Sequence, residues 1–138
     1  MVQQFNGYYN NIFEHGWNVT VDERIIWGWA RDQLGGGHRV DIKPRGFGPK
    51  YKCLFEVTVQ VTTTFENIRS KEVKNKRKYN KEHGAGAASV LSLCEASGIE
   101  GSNCSMISYS WFGGIGCILG LSKLGLQDIT TIKTRTAG

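Results

Sequence analysis

Asp32, Asp41 and Lys43 are the residues in this chain whose types suit phosphoryl chemistry. Two carboxylates can hold a divalent cation such as Mg²⁺, and a lysine beside them can steady a phosphate. Their spacing is loose, so they support an alternative reading, a small metal-dependent nuclease or toxin-like domain, and not the main one. No other catalytic constellation is present. There is no G-x-S-x-G, no cysteine lies near a histidine in sequence, and His15, His38 and His83 are scattered. Gly84-Ala85-Gly86 lacks the lysine of a phosphate-binding loop, and Ser89 stands where G-x-G-x-x-G needs its last glycine. The expectation is therefore a protein that is not an enzyme, with no catalytic residues, metal or cofactor and no small-molecule substrate.

Cys53, Cys94, Cys104 and Cys117 show no C-x-x-C spacing, and three of them fall in apolar runs. Free buried thiols in a reducing compartment fit this better than a disulfide frame or zinc site.

Charge placement says more than the net +5. No Lys or Arg precedes Arg24, whereas Arg69, Lys71, Lys74, Lys76, Arg77, Lys78 and Lys81 crowd into one stretch against a single acid, Glu72. Such a run is either a solvated loop or a phosphate-facing surface. With Lys133 and Arg135 of the tail it forms the candidate RNA phosphate contact, suited to backbone and shape and not to base reading. The apolar run WFGGIGCILGL is about half of a bilayer span, so no membrane role is expected. The N-terminus has the features of neither a secretory signal nor an arginine-rich transit peptide.

With 138 residues, 40% of them hydrophobic, the chain is sized for one domain with a core. Residues 1–50 read as an irregular arm rich in Trp and Gly, with short strands at Asn18 to Val21 and Arg39 to Lys43. Trp17, Trp27 and Trp29 are expected to anchor packing. In CLFEVTVQVTTT, Phe55, Val57, Val59 and Val61 alternate with polar residues, which predicts one half-buried strand and a core position for Val59. Val90, Leu91 and Cys94 fall at helical spacing before Gly98, a glycine stop. Ile107, Tyr109 and Trp111 alternate again, and Ile115, Ile118, Leu121 and Leu124 predict a last helix. Strand, helix, strand, helix in this order implies an α+β two-layer sandwich.

The segments SVLSLCEASGI and SWFGGIGCILGLSKLGL, together with the strand and basic run before them, resemble the C-terminal domain of the universal small-subunit ribosomal protein five family, especially its mitochondrial versions. The resemblance covers about residues 51–126, with 1–50 as the arm and 127–138 as a basic tail. The RNA-binding N-terminal domain of that family is not recognisable in residues 1–50. The resemblance implies a structural constituent of the small ribosomal subunit, with ribosomal RNA and neighbouring small-subunit proteins as partners. It places the chain in the mitochondrial matrix, with cytoplasm as the alternative. A free-standing RNA-binding module is a further alternative.

Overall fold

The computed structural model describes residues 2–25, 38–39, 47–48, 50–67 and 78–131. Along them run α1 (Val2–Ile12), β1 (Asn18–Ile25), β2 (His38–Arg39), β3 (Phe47–Gly48), β4 (Lys50–Glu56) and β5 (Val61–Asn67). Then come α2 (Asn80–Ser97), β6 (Ser105–Ser108), α3 (Ile115–Lys123) and β7 (Gln127–Thr130). β2 and β3 pair with each other, and the other five strands form one mixed sheet in the order β5-β4-β1-β6-β7.

β1 lies at the centre, antiparallel to β4 on one side and parallel to β6 on the other. Its side chains alternate between faces. Val19 and Val21 enter the core with Leu54 of β4 and Met106 of β6, all fully buried. Thr20, Asp22 and Arg24 therefore project from the opposite face. This partition separates the face that stabilises the domain from the face free to meet a ligand.

The core face is covered by α2 and α3. Ala87, Val90, Leu91 and Cys94 of α2 meet Cys117 and Leu121 of α3 in the same apolar cluster. Gly86 has a packing reason: a Cβ there would lie 2.3 Å from the Trp111 carbonyl oxygen, so only glycine lets α2 approach the turn after β6. Gly98 ends the helix with φ 70°, its N–H donating to the Glu95 carbonyl at 3.1 Å. Lys52, only 2% exposed, reaches under α2, where its ammonium donates to Ser89 Oγ and sits 4.3 Å from the Trp111 ring centroid.

At the far edge, α1 lies along β5. Its sequence, with Gly7 and three asparagines, is a poor helix former. Packing supplies what propensity lacks, because Phe5 stacks on Tyr9 at 4.5 Å and on Phe65 at 4.6 Å. Asn6 closes the open strand edge like a short extra strand. Its amide donates to the Phe65 carbonyl at 3.0 Å, and its carbonyl oxygen accepts the Phe65 N–H at 3.1 Å.

The α+β class with helices over one sheet face is observed, but the ribosomal protein five arrangement is not. Residues 1–50 are not simply an irregular arm, since they supply α1 and the central strand. The strand expected through residues 53–64 is a hairpin, β4 and β5 joined by a turn at 57–60. Gln60 takes φ 56° there, and Glu56 Oε2 accepts the Val59 N–H at 2.7 Å. Val59 is consequently 55% exposed, not a core residue, and Trp17 is 76% exposed, not an anchor. Trp27 and Trp29 lie outside the described residues. The segment 127–138 begins with β7, a paired strand and not a free tail.

Two substitutions separate these readings in urea unfolding. Leu54→Ala is expected to cost about 2–5 kcal/mol, as a buried leucine leaves a cavity under α2. Val59→Asp is expected to cost less than about 1 kcal/mol, because its side chain faces water. Replacing the 2%-exposed Lys52 by Met, which keeps the stem and removes the charge, should cost about 2 kcal/mol by loss of a desolvated cation–π contact.

Candidate functional site

β1 and β6 run parallel and side by side, and open sheets of this kind collect ligands at the C-terminal ends of such strands. Thr20 pairs with Ile107, and Thr20 Oγ1 donates to the Ile107 carbonyl at 2.9 Å. Asp22 lies two residues beyond Thr20 on β1, and Tyr109 lies two residues beyond Ile107, just past the end of β6. Both residues line one hollow of about 380 Å³, with Thr20, Arg24, Phe55 and Gln60 around it.

Each lining group has a structural reason for its position. Asp22 is exposed, and its Oδ1 accepts the Glu23 N–H at 2.7 Å. The Arg24 guanidinium lies 4.7 Å from the Phe55 ring centroid across the β1–β4 pair, a contact that orients it over the hollow's rim. Tyr109 follows β6 directly, and the turn behind it is tied down by Phe112 and Gly113, whose N–H groups both donate to the Tyr109 carbonyl at 2.8 Å. Its side chain remains 62% exposed.

Glu56 also lines the hollow, but it is buried and one of its oxygens is held by the turn. Burial pushes its carboxyl up, but hydrogen bonds from Val59 and Thr58 outweigh this and hold it below the usual carboxylate range. One oxygen caps the turn, and the other is buried beside Gly16. A Mg²⁺ or Mn²⁺ ion wants about six oxygen ligands, with carboxylates to offset its charge. The lining of the hollow carries two carboxylates, the exposed Asp22 and the buried Glu56. Among the described residues no three His, Cys, Asp or Glu side chains converge on a point.

Of the candidate phosphate contacts, Lys78 and Lys81 lie within the described residues. Lys78 is already engaged: its ammonium pairs with Glu95 Oε1 at 2.6 Å and sits 4.9 Å from the Tyr79 ring centroid. The Glu95 hydrogen bond, followed by that of Tyr79, raises its pKa. Lys81 is exposed at the start of α2. Arg69, Lys71, Lys74, Lys76, Arg77, Lys133 and Arg135 lie outside the described residues, as do Asp32, Asp41 and Lys43. The four cysteines are free and buried. Burial pushes the Cys53 thiol up to about 11 and the Cys117 thiol up to about 12, which keeps both unreactive.

Asp22, Arg24 and Tyr109 are absent from the residues that sequence reading singled out. Each half of the site carries a faint signal: Thr20 and Asp22 alternate with the buried Val19 and Val21, and Ile107 and Tyr109 with the buried Met106 and Ser108. What brings them together is a parallel pairing across more than eighty residues of chain, which no local pattern reports.

A sequence model of the family described as Transposase IS4 matches residues 1–138. Among solved structures, the chain superposes on one from the cryo-EM structure of the piggyBac transposase synaptic complex with hairpin DNA, with a TM-score of 0.76. The two are 15% identical, and the match covers 96% of this chain and 26% of that one. At that identity the likeness establishes the fold, and this chain spans about a quarter of the length of that transposase. No curated protein sequence matches it.

These findings overturn the resemblance to small-subunit ribosomal protein five. Its motifs were short and apolar, of a kind that any helix packed on a sheet can show. The structural role in the ribosome, the partnership with ribosomal RNA and small-subunit proteins, and the part in translation fall with it. The mitochondrial placement rested on the same resemblance and has no other support. A match that runs from the first residue to the last decides the question: the chain belongs to the transposase IS4 family.

Proposed function

We propose that this chain is a DNA-engaging core domain of a transposase-type protein, with its site at the C-terminal ends of β1 and β6. The observation that carries the reading is that Asp22, Arg24 and Tyr109 line one open hollow just beyond the paired residues of β1 and β6. The solved relative is named as a transposase held in a complex with hairpin DNA, which favours DNA over RNA as the polyanion. The basic run from Arg69 to Lys81 is then read as a DNA phosphate contact, through the same counterion release that would have served RNA.

Cutting and joining DNA strands is phosphoryl transfer, and enzymes that do it commonly clamp the reacting phosphate between two metal ions about 3.5–4 Å apart. Such a clamp needs several carboxylates. Asp22 suits one ligand position, but its neighbour is a phenol, and the nearby Glu56 is committed to its turn. The donor set among the described residues does not fit a two-ion centre. The described part of the site is therefore read as one that binds and positions DNA.

Binding to a hairpin DNA and to an RNA of the same sequence, followed by fluorescence anisotropy at several salt concentrations, tests the partner. DNA is expected to bind more tightly, and Arg24→Ala should lower the slope of log affinity against log salt by about one. Tighter binding of RNA would remove the proposal. The geometry has its own check in Tyr109→Asp, which would set a second carboxylate beside Asp22. Calorimetry should then show Mn²⁺ affinity raised by roughly tenfold or more, whereas an unchanged affinity would mean that the two positions do not face each other.

A further inference from the structure

We infer that the hollow between β1 and β6 receives one unpaired DNA base, stacked on Tyr109 with the adjoining phosphate at Arg24. The inference rests on the DNA reading above and names what that site holds. Three features of the hollow lead to it. Tyr109 presents an aromatic face to solvent, 62% exposed, at a point where the backbone is held by two hydrogen bonds. An exposed ring on a rigid strand end is a stacking platform whose ordering cost has already been met by the fold. Val57, 38% exposed on the same rim, adds apolar surface suited to a base and not to a hydrated ion.

The second feature is the cation. The Phe55 ring orients the Arg24 guanidinium at 4.7 Å, and its planar fork is matched to phosphate oxygens. A base on Tyr109 and a phosphate at Arg24 are the two ends of one nucleotide. The third is Asp22, which can only accept hydrogen bonds when ionised. Against a base it would take the exocyclic amine of cytosine or adenine, a contact that thymine does not offer. A base within the duplex has its faces covered by its stacked neighbours, so stacking on Tyr109 selects a base that is out of the duplex. The misfit with a two-ion centre thus has a positive meaning: where a cleaving site would need another carboxylate, this chain has a surface for a base.

The test uses the 138-residue chain and three DNA hairpins alike except at one unpaired position, which carries cytosine, thymine or an abasic sugar. The expected order is cytosine first and the abasic hairpin last, separated by about tenfold in affinity, the size of a typical base–aromatic stack. Tyr109→Ala should erase that separation by lowering the affinity for the cytosine hairpin, and Tyr109→Phe should retain it. Asp22→Asn should reduce the preference for cytosine over thymine. If the unaltered chain binds all three equally, or Tyr109→Ala still prefers the base, the stacking site is wrong while the DNA reading stands. If none of the hairpins binds, the DNA reading fails as well.

Discussion

Everything in this domain depends on the central strand β1 being held from both sides in opposite senses. Antiparallel pairing ties it to β4 over Val19 to Ile25, and parallel pairing ties it to β6 over Asn18 to Thr20. The first bond set builds a local meander, while the second reaches across α2 to close the sheet. Because strand side chains alternate, the same ladder that drives Val19 and Val21 under the helices must present Thr20, Asp22 and Arg24 on the other face. Core and site are two consequences of one register. A slip by one residue would bury Asp22 and expose Val21, so the site cannot drift without unfolding the domain.

The remaining elements serve that register. α2 and α3 cover the core face and approach closely through Gly86 at the turn behind Tyr109. That approach supports the turn whose two N–H groups fix the Tyr109 backbone. Lys52 links the same regions: it stands on β4, bonds to Ser89 of α2 and lies against the Trp111 ring just beyond the site. α1 works at the other edge, where Asn6 satisfies the backbone of β5 and prevents it from pairing elsewhere.

Parts of this were legible in the sequence. The helix through Val90, Leu91 and Cys94 and its stop at Gly98 follow from spacing and from the left-handed backbone that glycine tolerates. The short strand at Asn18 to Val21 is the start of β1. The alternation through Ile107, Tyr109 and Trp111, however, marks the outer face of β6, since Met106 and Ser108 are the buried residues and Tyr109 and Trp111 are exposed. The hairpin was not legible, because Val57 and Val59 continue the alternation of Phe55 straight through a turn that has no Gly, Asn or Pro at Gln60. α1 was missed for the opposite reason: its composition opposes helix, and only the Phe5, Tyr9, Phe13 spacing betrays the face that packs. The site was least legible of all. The densest charge pointed to the basic run, whereas the described site gathers Asp22 and Arg24 from β1, Glu56 from the end of β4 and Tyr109 from beyond β6. Short apolar motifs pointed to a ribosomal family because packing a helix on a sheet asks for similar residues in unrelated folds.

Amide chemical shifts during titration with a hairpin DNA test the central claim most directly, in a chain small enough for residue-by-residue assignment. The account predicts that the largest changes fall on Asp22, Arg24, Phe55 and Tyr109 and leave the outer residues of α1 and α3 unmoved. Changes confined to the basic run, with Asp22 and Tyr109 silent, would contradict it.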